Sequence, residues 1–206
     1  MQVHELRASP LTMYRSMKYG LDRLLAFGVI VALSPLLLLV SMLIKMTSKG
    51  PVFFQQKRVG LHQKPFHLLK FRSMTNESHE IKRYTTRGNG VTPVGYYLRK
   101  YKIDELPQVL NVLFGDMSFV GPRPNIVEHL DSMNEDQKKR YLVRPGMTGL
   151  AQVSGNIYLP WEKRYEMDLN YVENVSFRND GRIILRTILL IFKGEKAFVE
   201  RPLEMV

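Results

Sequence analysis

Two adjacent carboxylates, Asp104 and Glu105, stand directly before a helical pattern. The apolar residues between Leu106 and Leu113 follow the i, i+3, i+4, i+7 spacing of one helix face, with Pro107 near the start and Gly115 at the end. Acidic residues at a helix N-terminus can bind metal or act on a phosphorylated substrate, but they also cap helices and complement the helix dipole. On the pattern alone, capping is the favoured interpretation.

Two arginines are held on stiff backbone. Arg123 lies between Pro122 and Pro124, and Arg144 directly precedes Pro145. A guanidinium group with little freedom to move can bind a phosphate through two parallel hydrogen bonds. These segments therefore suit phosphate recognition, although a solvated arginine in a surface turn explains them equally well.

A β-hairpin is predicted before these residues. Residues 51–59 and 66–74 have the composition of strands, and residues 60–65 supply the turn. Lys70 and Arg72 would share one face of the second strand because side chains alternate along it, and they could together face an anion. A solvated strand face is the more frequent explanation of such a pair.

The rest of the chain predicts short elements. Residues 75–92 are polar and aperiodic, which indicates a mobile loop or lid. Helices are expected from Thr92-Pro93 onward and over 125–131, 134–141 and 161–170, and a strand over 150–153. Residues 182–193 are apolar with basic residues at the ends and interior, so an interfacial helix and a core helix are equally good interpretations.

The element that must position this chemistry is an uncharged run, Leu24–Ile44. As a helix it would measure about 30 Å, the thickness of the hydrocarbon core of a bilayer. Ser34 and Pro35 lie near its centre, and Pro35 removes a backbone donor, so a kink or break is expected there. Lys45 follows the run without a cleavage signature, which argues against a cleaved signal peptide.

Basic residues flank the run on both sides: Arg15, Lys18 and Arg23 before it, and Lys45, Lys49, Lys57 and Arg58 after it. Cytoplasmic loops carry an excess of Lys and Arg, so a simple span should show an asymmetry. The symmetric flanks fit a re-entrant helix that turns at Ser34-Pro35 and leaves by the same face. On the residues alone a single kinked span is slightly favoured, because neighbouring groups can satisfy the carbonyl that a proline frees.

The composition of the chain limits the kinds of partner that it can bind. The formal net charge of +11 over 206 residues suits an anionic partner such as nucleic acid, a membrane surface or a phosphorylated substrate. The apolar run favours the last two, and no nucleic-acid-binding motif is recognisable. The absence of cysteine excludes disulfides and thiolate metal sites.

Four stretches together resemble one family, the bacterial sugar transferases or monotopic phosphoglycosyl transferases: PVFFQQKRVG, FHLLKFRSM, DELPQVLNVLFGDMSFVGPRP and RPGMTGLAQVSG. The similarity covers residues 18–193 and is most specific between Asp104 and Pro124. It implies an α+β, mostly helical, membrane-associated domain with a small β-hairpin. The expected organisation is a lead-in (1–17), a re-entrant membrane helix (18–50) and a cytoplasmic or interfacial catalytic domain (51–206).

The resemblance also implies a reaction. A UDP-sugar would give its sugar-1-phosphate to undecaprenyl phosphate, with Mg²⁺ required, to form undecaprenyl-diphospho-sugar and UMP. This would be the first membrane step of glycoconjugate assembly, at the cytoplasmic face of the bacterial inner membrane. Phospholipids and downstream glycosyltransferases are the expected partners, and nucleic acid is not. The sequence does not name the sugar.

The resemblance further implies roles for individual residues. Asp104 would carry a covalent phosphosugar intermediate, and Glu105 would help to hold the metal with Asp104 or handle a proton. Further residues would surround the substrate phosphates and nucleotide: Lys70, Arg99, Arg123, Arg144 and Asp168. Ser34 and Pro35 match the helix-breaking pair of the family. The alternative is a non-catalytic membrane-anchored module whose basic surface binds anionic lipid or glycan-assembly enzymes.

Overall fold

One long helix, α1 (Pro10–Thr47), contains the whole apolar run. The computed structural model describes residues 10–75, 90–193, 198–199 and 202–205. Most of the loop expected over 75–92 and the first nine residues of the lead-in lie outside them. By length and composition α1 could cross a membrane: its segment Met13–Thr47 contains a window of mean hydropathy 2.6, only 11% of which is buried.

The helix continues through Pro35 rather than stopping there. Pro35 has no N–H to donate to the Val31 carbonyl one turn earlier. The Ser34 hydroxyl supplies the missing hydrogen bond, because its Oγ donates to the Val31 carbonyl at 2.8 Å. The helix is therefore not interrupted at Ser34-Pro35, where a kink or break is expected from the sequence. The hydroxyl satisfies the carbonyl that would otherwise be left unpaired.

Both halves of α1 pack against the rest of the described chain. Before Pro35, the fully buried Ala26 belongs to a core cluster with Val112. After it, Ile44 packs in a second cluster with Phe71 and Leu98. The opposite side of the helix leaves large apolar side chains exposed, among them Leu24, Phe27, Val31, Leu38 and Met42.

The predicted hairpin is confirmed. Strands β1 (Phe53–Val59) and β2 (Pro65–Phe71) pair antiparallel, with Phe54 opposite Lys70. The chain then continues through helix α2 (Pro93–Lys100), a single 3₁₀ turn (Ile103–Glu105) and helix α3 (Gln108–Phe114).

The boundaries of α2 and α3 follow their sequence signals. The side chain of Thr92 caps α2 by accepting from the Gly95 N–H at 2.9 Å, directly before Pro93. Gly115 ends α3 with φ 90°, a left-handed conformation that glycine adopts without a steric penalty.

A second, parallel pair of short strands organises the remainder. Strands β3 (Ser118–Val120) and β4 (Gly146–Thr148) pair with Val120 opposite Thr148. Gly121 follows β3, and a Cβ there would clash with the Arg144 carbonyl, so glycine permits the close approach of the two segments.

Four helices complete the described chain: α4 (Glu135–Lys138), α5 (Leu150–Val153), α6 (Trp161–Glu173) and α7 (Phe177–Lys193). The strand expected over 150–153 is wrong. That segment forms α5, whose Val153 N–H donates to the Gly149 carbonyl at 3.0 Å, and the run of apolar residues reflects burial on several sides.

The predictions for 125–131 and 134–141 hold only in part. The first segment contains one 3₁₀ turn, Val127–His129, and the second is α4 followed by the turn Lys139–Leu142. Asn134 caps α4 as predicted.

Helix α7 faces both the core and the outside. Ile183 and Leu190 are buried, whereas Leu185, Ile191 and Phe192 are exposed. The core and interfacial interpretations of this segment therefore describe two faces of one amphipathic helix.

Candidate active site

Five of the predicted site residues come together beside the turn before α3. Lys70 Nζ on β2 lies 2.7 Å from Glu105 Oε1, and Arg123 Nη2, from the loop after β3, lies 3.0 Å from the same oxygen. Lys70 and Arg99 act electrostatically on Asp104, so α2 contributes to the cluster as well. We call these residues the Asp104 cluster: Lys70, Arg99, Asp104, Glu105 and Arg123.

The two adjacent carboxylates have opposite electrostatic environments. Burial disfavours the ionised form of Glu105, but Arg123 and Lys70 outweigh burial and hold its pKa well below the ordinary value. Burial raises the pKa of Asp104, with Glu105 adding to the rise and Lys70 and Arg99 opposing it. Glu105 is therefore a permanent anion between two cations, whereas Asp104 is a partly desolvated carboxylate.

The capping role that the pattern favoured for Asp104 is wrong for α3. Within the described residues, α3 begins without a side-chain cap, and the cap position belongs to Pro107. Asp104 lies instead in the preceding 3₁₀ turn, which the chain enters through Lys102 at φ 56°. Its carboxylate is therefore not committed to the start of the helix.

A buried ion pair supports Arg123 from behind. Arg140 Nη2 donates to the Arg123 carbonyl at 2.7 Å, and Arg140 also pairs with Asp168 at 2.6 Å. Both side chains of this pair are at least 95% buried. Burial raises the pKa of Asp168 to about 6 in spite of Arg140.

Asp168 is therefore linked to the Asp104 cluster through Arg140, which contacts the backbone of Arg123. Sequence reasoning missed Arg140, because a basic residue beside a capped helix resembles a solvated surface residue. Its burial depends on Asp168 and on the rings of Tyr141 and Tyr165, whose centroids lie 5.5 and 5.3 Å from its guanidinium carbon.

Two other basic residues lie elsewhere. Arg72, expected to share an anion-facing surface with Lys70, is buried, and its Nη2 donates to the Ser48 carbonyl at 2.8 Å, which ties the hairpin to the end of α1. Arg144 is stacked on Tyr19 of α1, and its charged neighbours are Arg23, Asp22 and Asp116. Its predicted role at the reacting phosphates stays a prediction.

The donor set allows a divalent cation with few protein ligands. No group of three or more His, Asp or Glu side chains that could hold a metal occurs within the described residues. Mg²⁺ in phosphate chemistry often takes one or two carboxylates and completes its shell with phosphate oxygens and water. Asp104 can supply such a carboxylate, whereas Glu105 Oε1 already binds Lys70 and Arg123.

The sequence matches one protein family along most of its length. A family model described as bacterial sugar transferase covers residues 13–194. The chain is 41% identical over 174 residues to "Uncharacterized sugar transferase EpsL" of Bacillus subtilis (strain 168), which covers 84% of this chain and 86% of that protein.

Longer relatives carry more specific names. The chain is 41% identical over 187 residues (86% of this chain, 40% of the relative) to the "UDP-glucose:undecaprenyl-phosphate glucose-1-phosphate transferase" of Klebsiella pneumoniae. It is 39% identical over 201 residues (94% of this chain, 47% of the relative) to the "UDP-N-acetylgalactosamine-undecaprenyl-phosphate N-acetylgalactosaminephosphotransferase" of Aeromonas hydrophila. The chain thus spans less than half the length of these two proteins, whose names differ in the sugar.

Proposed function

The chain belongs to the bacterial sugar transferase family, and on that premise we propose that it transfers sugar-1-phosphate from a UDP-sugar to undecaprenyl phosphate, releasing UMP. The single observation that carries this proposal is the placement of the adjacent Asp104 and Glu105 beside three cations: Lys70 and Arg99 act on Asp104, and Lys70 and Arg123 bind Glu105. A diphosphate donor and a lipid phosphate are both anionic, and such a cluster neutralises and orients them.

The reaction has two displacements at one phosphorus. An Asp104 oxygen attacks the phosphorus that bears the sugar, so an aspartyl O–P bond forms, the phosphoanhydride bond breaks and UMP leaves with that electron pair. An oxygen of undecaprenyl phosphate then attacks the same phosphorus, the aspartyl O–P bond breaks and the Asp104 carboxylate is restored. The product is undecaprenyl-diphospho-sugar.

Glu105 positions the cations rather than accepting a proton. A carboxylate whose pKa lies well below the ordinary value is a poor general base near neutral pH. The acceptor phosphate is already largely ionised there, since the second pKa of a phosphate monoester is about 6. Glu105 instead fixes Lys70 and Arg123 where the transferred phosphoryl group develops charge.

Mg²⁺ would supply a further positive charge that offsets the diphosphate. Asp104 would hold it together with substrate oxygens, because Glu105 already binds Lys70 and Arg123. A Glu105→Asp variant tests this assignment. Its shorter side chain should misplace Lys70 and Arg123 and so lower the rate, while the Mg²⁺ concentration needed for half-maximal rate should change little.

The packing of α1 supports membrane attachment from one side. The same domain covers Ala26 before Pro35 and Ile44 after it, so a span with its two ends on opposite faces would carry that domain into the hydrocarbon. A re-entrant arrangement requires α1 to bend at Pro35 while it stays helical. It leaves the exposed apolar sides of α1 and α7 in lipid and the Asp104 cluster at the cytoplasmic face, where a soluble donor meets a lipid acceptor.

UMP release tests the proposal directly. Purified protein is incubated with Mg²⁺, undecaprenyl phosphate and a panel that includes UDP-glucose, UDP-galactose and UDP-N-acetylgalactosamine. We expect one donor to give acceptor-dependent UMP, and Asp104→Asn to lower the rate by roughly three orders of magnitude or more, as for other nucleophiles.

Asp131→Asn, an exposed carboxylate outside the cluster, is the matched control and should keep wild-type activity. Wild-type activity in Asp104→Asn would refute the nucleophile. The absence of UMP from every donor would leave the non-catalytic membrane module as the better description.

A further inference from the structure

Arg23 and Arg144 form a second basic pair, apart from the Asp104 cluster. The guanidinium carbon of Arg144 lies 4.1 Å from the centroid of the Tyr19 ring, and its backbone N–H donates to Tyr19 Oη at 3.1 Å. Burial and the neighbouring Arg23 both lower the pKa of Arg144. Arg23 Nη2 in turn reaches the Phe114 carbonyl at 3.5 Å. We call these two arginines the Arg23–Arg144 pair.

Arg144 has two N–H groups that could donate hydrogen bonds to a ligand. Arg144 Nε and Nη1 are buried, and neither has a hydrogen-bond partner within the described part of the chain. The nearest carboxylates are engaged: Asp22 accepts from Ser118 Oγ at 2.5 Å, and Asp116 accepts from Asn111 Nδ2 at 3.4 Å. An anion placed here would satisfy the buried donors and offset the repulsion between the two guanidinium groups.

Exposed apolar side chains border the pair. Arg23 is the last charged residue before the run Leu24–Ile44. Leu24 is 68% exposed, Phe27 58% and Phe114 67%, and Phe114 carries the carbonyl that Arg23 contacts. A ligand with a phosphate at one end and hydrocarbon at the other matches this surface, because each part meets its own kind of group.

We propose that the Arg23–Arg144 pair binds the headgroup phosphate of an anionic phospholipid, whose acyl chains lie along Leu24, Phe27 and Phe114. Arg23 contacts the Phe114 carbonyl at the C-terminal end of α3. Asp104 precedes the start of this helix, whose seven residues separate the two ends by about 10 Å. The site therefore holds a resident lipid beside the reaction rather than the reacting phosphate. It goes beyond the proposed transfer and does not depend on it.

Native mass spectrometry of the full chain in neutral detergent tests the site, with phosphatidylglycerol as the probe and no UDP-sugar present. We expect the wild type to retain one phosphatidylglycerol, and Arg23→Gln and Arg144→Gln to bind it at least tenfold more weakly. Arg178→Gln removes an equal charge from an exposed position and should bind like the wild type. Thermal unfolding checks each variant, and Arg23→Gln keeps the test decisive if Arg144→Gln does not fold, because Arg23 is exposed.

The competing sources of phosphate are separated by competition. Inorganic phosphate at millimolar concentration should leave the bound phosphatidylglycerol in place, and displacement would mean a free-anion site and overturn the lipid assignment. Preferential retention of undecaprenyl phosphate over phosphatidylglycerol would assign the pair to the acceptor and likewise overturn it. Equal binding by wild type and Arg23→Gln, or equal weakening in Arg178→Gln, would also contradict the proposal.

Discussion

Lys70 and Glu105 meet at 2.7 Å between Nζ and Oε1, and the same carboxylate oxygen receives Arg123 at 3.0 Å. One carboxylate thus joins a hairpin strand to the loop between two prolines. The adjacent Asp104 remains outside this ion-pair arrangement and is acted on by Lys70 and Arg99. The two adjacent carboxylates therefore have different surroundings, which agrees with the different roles that we propose for them.

Glu105→Gln should lower kcat/KM by roughly 10- to 1,000-fold, because a neutral amide no longer fixes Lys70 and Arg123 at the phosphates. Since the pKa of Glu105 lies well below the ordinary value, the shape of the pH profile between about pH 6 and 8 should not change. Initial rates across that range measure both quantities. Loss of a titration from the profile in the variant would instead show that Glu105 acts as a base.

Lys70→Met should move the acidic limb of phosphosugar-adduct formation to higher pH. Lys70 lowers the pKa of Asp104, although burial raises it by more. Removing Lys70 should therefore raise the pKa of Asp104, so that the carboxylate stays protonated up to a higher pH. Intact-mass measurements of the adduct in single turnovers, from pH 5 to 8, follow this limb. Lys163→Met, on the exposed surface of α6, is the control; an unshifted limb in Lys70→Met would separate Lys70 from Asp104.

Ionisation of Asp168 should lower the free energy of unfolding as pH rises. Its pKa in the folded protein is about 6, above the ordinary 3.8, so the folded state binds the proton more tightly. The resulting stabilisation is fully present below about pH 4 and is lost as pH rises through 6. Thermal unfolding at pH 4 to 7 should show this trend in the wild type and in Asp131→Asn, and a smaller one in Asp168→Asn.

Arg140→Gln and Asp168→Asn should each destabilise the fold strongly at neutral pH. Each leaves one member of the buried ion pair without its partner, which typically costs about 3–5 kcal/mol. The double variant should recover part of that loss, since the buried charge is gone. Denaturant unfolding of the four proteins measures the coupling, and additive effects would mean that the 2.6 Å contact contributes little.

Single cysteines at Met13 and Lys49, near the two ends of α1, should both react with a membrane-impermeant thiol reagent from the cytoplasmic side. The chain has no natural cysteine, so each label reports one position. Inside-out and right-side-out vesicles distinguish the two faces. Labelling of the two positions from opposite sides would restore a simple span.

Local signals predicted much of this fold. Thr92-Pro93, Asn134 and Gly115 act within a turn of their own position, and the structure places caps and ends there. The hairpin likewise follows from alternation and turn composition, and the structure confirms that the two strands pair.

The predictions failed where contacts between residues far apart in sequence determine the structure. Residues 150–153 are helical because they are buried on several sides, which period alone does not reveal. Arg140 and Asp168 are more than 25 positions apart in sequence, and neither has a local pattern that indicates the other. The helical pattern alone favoured a capping role for Asp104, because the intervening 3₁₀ turn leaves no trace in the spacing of apolar residues.

The packing of α1 makes this helix inseparable from the rest of the fold. Ala26 completes one core cluster and Val40 and Ile44 another, so removing the helix would uncover Phe66, Phe71 and Leu98. Truncation to residues 51–206 should thus yield an aggregating polypeptide rather than a soluble transferase. Folding of the domain and its attachment to the bilayer would then be one event, and a chain that fails to reach the membrane would also fail to assemble its active site.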